Sequence, residues 1–212
     1  MFLIGRFVRL NVFLLALGYS FGWLEGALVV SRYHGEREIG RKGTGNIGAS
    51  NVAIVLGFKS GLWVAAIDIF KAFLPMFIGR SYFALNLEST AILGIGVVIG
   101  HIFPLPFHFK GGKGAASMVG LGYGLSFHLG IAMHLAFLLF AIGSNYIFIG
   151  SLAVFVFLPV ILLFTTGLTP AFYLSVLLMV IGFYKHQTNL RNLKEGKEMG
   201  LRNFFINRKK KA

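Results

Sequence analysis

The 212-residue chain is 56% hydrophobic and only 13% charged, about half the charged share of a soluble domain, so a soluble fold with polar surface all round is excluded. It has no cysteine, which rules out a disulfide framework and a thiolate metal site. The net charge of +13 does not mark a nucleic-acid binder, because the cations gather in three clusters between apolar runs, at 32–42, 110–113 and from 185 to the end.

The first apolar run, 7–30, begins beside Arg6 and Arg9 like a signal peptide, but no small-residue cleavage site lies near Val30, so it reads as an uncleaved first span. Glu25, at its end, is expected to face water. A second run, 52–79, carries Asp68 and Lys71 about one turn apart, a charged pair that either serves chemistry or braces the bundle. A turn near Arg80–Asn86 leads to a third run, 83–107. The last run, 114–184, is too long for one span. Breaks are expected near Tyr123–Phe127, at "GSN" (143–145) and at "TTGLTP" (165–170), giving four short helices or two long ones. Both counts are even, as the charge pattern requires. With four, the expectation is an all-α integral membrane protein of about seven transmembrane helices, one multispanning domain over 1–212. The basic clusters then share the cytoplasmic side, the N-terminus lies outside, and 185–212 is a basic cytoplasmic tail. Arg6 and Arg9 argue mildly against that orientation. The tail's "RKKK" (208–211) is expected to be solvated and to touch anionic lipid.

Between these runs lie two glycine loops. "GRKGTGNIGASN" (40–51) places Gly43, Gly45 and Gly48 just before an apolar helix, with hydrogen-bonding side chains from Thr44, Asn46, Ser50 and Asn51. Glycines let the backbone approach a ligand, successive N–H groups cradle an anion, and a helix N-terminus adds its dipole. The string fits G-x-x-x-x-G, but Ala49 stands where a nucleotide P-loop needs lysine and no strand precedes it, so that reading is rejected. A tight re-entry turn is the structural alternative. "HIFPLPFHFKGGKGAAS" (101–117) repeats the design: Gly111, Gly112 and Gly114 carry Lys110 and Lys113, and Pro104 and Pro106 stop the preceding helix. Two such loops on one membrane face suit two phosphorylated substrates or one polyanion. A third cluster, "KHQTNLRNLKEGKE" (185–198), puts His186 and Asn189 on one helical face, where a histidine serves as base, acid, phosphate ligand or structural group. Glu198 either anchors a basic loop or is solvated; His128 and His134, in apolar surroundings, receive no role.

Taken together, these strings resemble the bacterial membrane acyl-phosphate:glycerol-3-phosphate acyltransferases. "GTGNIGASN" is similar to that family's GSGN-x-G-x-TN, the second loop to its H-x-FP…FKGGKG-x-AT, "HQTNLRNLKEGKE" to its H-x-x-N-I-x-R-L-x-x-G-x-E, and "DIFK" (68–71) to a D-x-x-K step. The resemblance implies seven spans in the inner membrane of a bacterium, with the motif loops meeting at the cytoplasmic face. It implies transfer of an acyl chain from acyl phosphate to the sn-1 hydroxyl of glycerol 3-phosphate, giving lysophosphatidic acid, without cofactor or metal. Lys113 with the second loop (Lys110, Gly111, Gly112, Gly114) would hold one phosphate, and Thr44, Asn46, Arg41 and the first loop the other. His186 and Asn189 would position the acceptor or relay its proton, a substrate phosphate being the alternative base; Asp68, Lys71, His101 and Glu198 would support them.

The sequence departs from the family pattern where arginine is usual, at Ile54, at Gly40 (with Arg41 one step late) and at Gln187; Thr44 and Ser50 keep the family's hydroxyls. Isoleucine cannot grip a phosphate as arginine does, so either Arg41 or Lys42 stands in or the chain is a paralogue with another acceptor or no catalysis. A transporter or scramblase of phosphorylated lipids would need polar residues through the membrane depth, whereas these concentrate on one face.

Overall fold

The computed structural model describes residues 2–209, with side chains placed for 5–206. Every regular element among them is helical: α1 (Phe2–Gly22), α2 (Gly26–Tyr33), α3 (Ala49–Leu56), α4 (Phe58–Phe83), α5 (Leu87–Ile102), α6 (Ala115–Leu125), α7 (Phe127–Ser144), α8 (Ile147–Thr166), α9 (Pro170–Lys185), α10 (Gln187–Lys194) and α11 (Leu201–Lys209), with short 3₁₀ turns at Ile39–Arg41 and Leu105–Phe107.

Local chemistry explains the punctuation. Run 114–184 forms four helices, and each break has a capping residue. Ser126 accepts from Leu129 N–H (3.1 Å) to start α7. Asn145, at φ 69°, ends it in the left-handed conformation that asparagine tolerates. Thr169 caps α9, whose first residue is Pro170, a position where the missing N–H matters least. Runs 7–30 and 52–79 are each split in two, which the hydropathy pattern did not anticipate. Gly57, at φ 97°, separates α3 from α4 in a conformation that L side chains rarely adopt. Gly61 then lets the two helices pack closely, since a Cβ there would sit 2.6 Å from Ala53 Cβ.

Five segments are long and apolar enough to cross a membrane: Gly5–Tyr33, Phe58–Phe83, Leu87–Phe107, Phe127–Ser144 and Ile147–Thr166. Ala115–Leu125 and Pro170–Lys185 are shorter apolar helices. At the centre stands α5, buried along most of its length. It meets α1 through Gly18, Gly22, Gly96 and Gly100, and a Cβ on Gly22 would lie 2.6 Å from Gly100 Cα. Such small-residue contacts bring membrane helices together where lipid offers no hydrophobic drive. The main core joins Met76 of α4, Ile95 of α5, Leu121 of α6 and Leu158 of α8.

Within 185–212, residues 187–206 fold as α10 and α11 and dock on the bundle through Asn145 and Phe58. The side chains of "RKKK" (208–211) lie outside the described residues.

Candidate active site

The two glycine loops are held by different means. Asn51, fully buried on the first turn of α3, accepts from the Thr44 N–H (2.7 Å) and hydroxyl (3.1 Å) and donates to Ile39 O (3.0 Å). Gly43, at φ 59°, packs against Asn51, and a Cβ there would press to 2.9 Å of Val55. The second loop is fastened from outside: Gly112 N–H donates to His101 O (3.2 Å), and a Cβ on Gly112 would lie 2.6 Å from Ile47 O of the first loop. The loops therefore touch at Gly112.

The third motif joins them as a helix with two working faces. His186 and Asn189 line one cavity; Gln187, Thr188 and Arg191 line another. The first cavity, about 270 Å³, is polar at Thr44, Asn46, Ser50, Lys113, His186, Asn189 and Glu198, and apolar at Ile54, Phe58, Val119, Phe137 and Phe148. Gly48 and Gly114 also border it. The second, about 620 Å³, gathers Arg41, Lys110, Lys113, Lys185 and Arg191 around Gly40, Gly45, Gly111 and Tyr184. Asn46 and Lys113 border both. The three basic clusters thus meet at one end of the bundle. Gly43, Gly112, Asn51 and Lys71 border neither cavity and lie behind the walls.

At the shared border, Lys113 Nζ donates to Asn189 Oδ1, and Asn189 Nδ2 donates to Glu198 Oε1 (2.6 Å). Glu198 therefore anchors Asn189, and both oxygen and amide of that asparagine are assigned by the chain. Burial lowers the Lys113 pKa; the Glu198 charge opposes that shift and Lys185 adds to it. His186 is 2% exposed. Burial drives its pKa from 6.5 to about 4, partly offset by a hydrogen bond to Gly182 O, while Lys113 and Lys185 add to the lowering. A carbonyl only accepts, so His186 Nδ1 carries the proton at 2.8 Å and Nε2 keeps its lone pair. Phe148 stacks on the ring at 25° and Phe155 meets it edge-on, which fixes its plane.

Behind the inner wall sits a buried ion cluster. Lys71 Nζ lies 2.6 Å from Leu24 O, 2.9 Å from Asp68 Oδ1 and 2.7 Å from His101 Nδ1. Asp68 Oδ1 also accepts from Gly26 N–H (3.3 Å), so the pair serves the carbonyl and the N–H freed where α1 breaks before α2. Asp68 and His101 reach the first cavity. Glu25 does not face water: it is 2% exposed, because the chain turns inward at this break. Its Oε2 lies 3.3 Å from His101 Nδ1, yet neither carboxylate oxygen has a hydrogen-bond partner in the described residues.

Of the two cations expected to replace an arginine at 54, Arg41 borders the basic cavity and pairs with the exposed Glu38 (2.8 Å), while Lys42 pairs with Glu36, whose pKa that bond lowers. Ile54 borders the first cavity, and Gln187 and Gly40 the basic one. Sequence reasoning missed Lys185, Thr188 and Arg191 as site residues, although Thr188 and Arg191 stand three apart on a helix and so share a face. His134, assigned no role, borders the first cavity with Nδ1 3.3 Å from the Tyr123 hydroxyl; His128 is exposed. Among the described residues no group of three or more His, Cys, Asp or Glu is placed to hold a metal ion.

Residues 12–196 match the family model described as glycerol-3-phosphate acyltransferase. A relative named glycerol-3-phosphate acyltransferase 1, from Oceanobacillus iheyensis, is 33% identical over 196 residues, covering 89% of this chain and 94% of its own. Two solved structures are similar, both of PlsY (YgiH), an integral membrane glycerol 3-phosphate acyltransferase, at 26% identity. Its glycerol 3-phosphate form superimposes with a TM-score of 0.79, covering 90% of this chain and 94% of that one. Its lysophosphatidic acid form gives 0.78, with 92% and 98% covered.

Proposed function

We propose a division of labour between the two cavities, from the premise that this chain belongs to the glycerol-3-phosphate acyltransferase family. The protein is a membrane acyltransferase that moves an acyl chain onto glycerol 3-phosphate, a step of phospholipid synthesis that yields lysophosphatidic acid. The observation that carries the division is that an apolar-walled cavity and a basic cavity share one border, Asn46 and Lys113. A long-chain donor fits the first, and the phosphate of the acceptor fits the second.

The donor in this reading is an acyl phosphate. Its chain lies along Val119, Phe137 and Phe148, and its phosphate reaches Lys113. The acceptor phosphate is held by Arg41, Lys110, Lys185 and Arg191, with arginine supplying the bidentate grip. The sn-1 hydroxyl then attacks the acyl carbonyl at the border, forming the ester C–O bond as the C–O bond to phosphate breaks. Inorganic phosphate leaves and takes up the hydroxyl proton, so no external acid or base is consumed. His186 Nε2, neutral and fixed in plane, accepts a hydrogen bond from the acceptor's neighbouring sn-2 hydroxyl and so orients the attacking sn-1 oxygen, whose own proton goes to the phosphate. Lys113 and the backbone N–H groups of the second loop stabilise the charge on the departing phosphate. Thr44, Asn46 and Ser50 complete the polar wall.

Seven crossings, with the N-terminus outside and both cavities opening to the cytoplasm of a bacterial inner membrane, complete this reading, and the basic clusters at one end support it. The chain is then one multispanning domain, with 185–212 on the cytoplasmic side. Because it has no cysteine, single cysteines at Thr44, Lys110 and Asn192 report sidedness directly, and disagreement among them would falsify this topology. The decisive assay mixes purified protein with glycerol 3-phosphate and hexadecanoyl phosphate and follows lysophosphatidate and orthophosphate together. Transfer from a thioester but not from the acyl phosphate overturns the donor assignment.

A further inference from the structure

We infer that α11 is part of the acyl-chain site, with Leu201 and Phe204 forming the wall that favours long-chain over short-chain donors; this rests on the acyl-transfer reading above.

The helix lies past residue 196, where the family match ends, so family membership assigns it nothing. Yet Leu201, Phe204 and the preceding Met199 border the apolar-walled cavity. Among the described residues, α3 and α4 make no extensive contact with α7 or α8. The 11-residue α6 packs against α4, α7 and α8 and closes the cavity on one side. Across the gap that is left, α11 reaches from the α7–α8 turn to the start of α4. Its N-terminus is pinned to the α7–α8 turn: Leu201 N–H donates to Asn145 O (2.8 Å) and Arg202 N–H to Asn145 Oδ1 (2.9 Å). Farther along, Phe204 and Phe205 reach Phe58 at the start of α4, with ring centroids 6.5 Å and 5.7 Å away.

The two faces of α11 differ in a way that fits this role. Leu201 and Phe204, three apart, turn to the cavity. Phe205 and Ile206 are 46% and 52% exposed beside the exposed Arg202 and Asn203, an outer face of mixed apolar and polar character suited to the headgroup boundary, where a long-chain donor arrives. A chain extending from the carbonyl near Lys113 touches Phe204 only if it is long enough, whereas a short acyl group ends among the polar residues. α11 therefore discriminates by chain length through added apolar contact.

The test uses the full chain in lipid nanodiscs, with Phe204→Ala and Asn145→Gly. The glycine keeps the left-handed turn and the backbone hydrogen bond but removes the side-chain cap. Expected for Phe204→Ala is a rise of about fivefold in KM for hexadecanoyl phosphate and in Kd for the unreactive dodecyl phosphate. KM for butanoyl phosphate and for glycerol 3-phosphate, and Kd for ethyl phosphate, should not move. Asn145→Gly should shift the same long-chain values by less. Equal losses on long and short ligands would make α11 a structural brace, and unchanged long-chain values in both variants would remove it from the site; either result overturns the inference. If wild-type protein transfers nothing from acyl phosphate, the donor assignment fails, while the dodecyl and ethyl phosphate pair still decides the place of α11.

Discussion

Lys71 and Lys113 lie on opposite sides of the same cavity wall, and the chain treats them in opposite ways. Lys71 sits within α4 with its side chain 1% exposed, and its three protons face Leu24 O, Asp68 and His101. Lys113 sits on a loop between two glycines, with Asn189 Oδ1 as its hydrogen-bond partner and both cavities before it. One ammonium is saturated by the fold and holds the α1–α2 break in place. The other has a single hydrogen-bond partner among the described residues. In the proposed reading, counting the protons left unmet separates a structural lysine from a binding one, where residue type and neighbouring sequence do not.

The largest expected effect is at Lys71. Lys71→Met leaves Asp68 buried without its cation and Leu24 O without a donor, a loss of about 3–5 kcal/mol that should appear as a sharp fall in the melting temperature in detergent. A variant that melts with the wild type would erase the distinction between the two lysines.

Acid should act next, through His186 on the ligand side. Its folded pKa of about 4 lies below the unfolded 6.5, so the unfolded chain binds the proton more tightly. The stability it contributes is complete above about pH 6.5 and is lost as pH falls toward 4, about 3 kcal/mol in all. His186→Gln should flatten this acid limb of the stability curve; an identical limb in the variant would place the titration elsewhere.

Lys113→Ala is expected to leave the melting temperature unchanged and to lower kcat/KM by about ten- to hundredfold, the loss of one charge-assisted hydrogen bond of roughly 1.5–3 kcal/mol. Unaltered kinetics in folded protein would return Lys113 to the class of Lys71. The smallest change is expected from Ile54→Arg, which adds a long guanidinium arm to the cavity that Asn46 and Lys113 also border. KM for glycerol 3-phosphate should fall by up to about tenfold, roughly 1.4 kcal/mol. No fall would show that Arg41 already supplies the charge from the basic cavity.

Much of this was legible along the chain, because membrane helices are read by length and apolarity, and breaks by cap residues that act locally. Run 114–184 divides at Ser126, Asn145 and Gly167–Thr169, each with its own capping chemistry. The glycine loops were legible as candidates as well, with Lys113, His186 and Asn189, which the structure brings to one cavity, since glycines and cations close in sequence suit a phosphate. The split at Gly57 was not, because one glycine within an apolar run leaves mean hydropathy almost unchanged.

What the sequence by itself determined is therefore a helical membrane chain with three phosphate-suited motifs gathered toward one face. Only the tertiary structure decided which polar groups are left for substrate. Asn51 and Lys71 look as suited to a ligand as Asn46 and Lys113, yet the fold consumes the hydrogen bonds of the first pair from 12 and 47 residues away. Glu25 reads as a water-facing end residue, yet the inward turn after α1 buries it against His101. The physical reason is common to all of them: hydrogen-bond saturation depends on atoms brought together from distant segments, and neither composition nor periodicity carries that information.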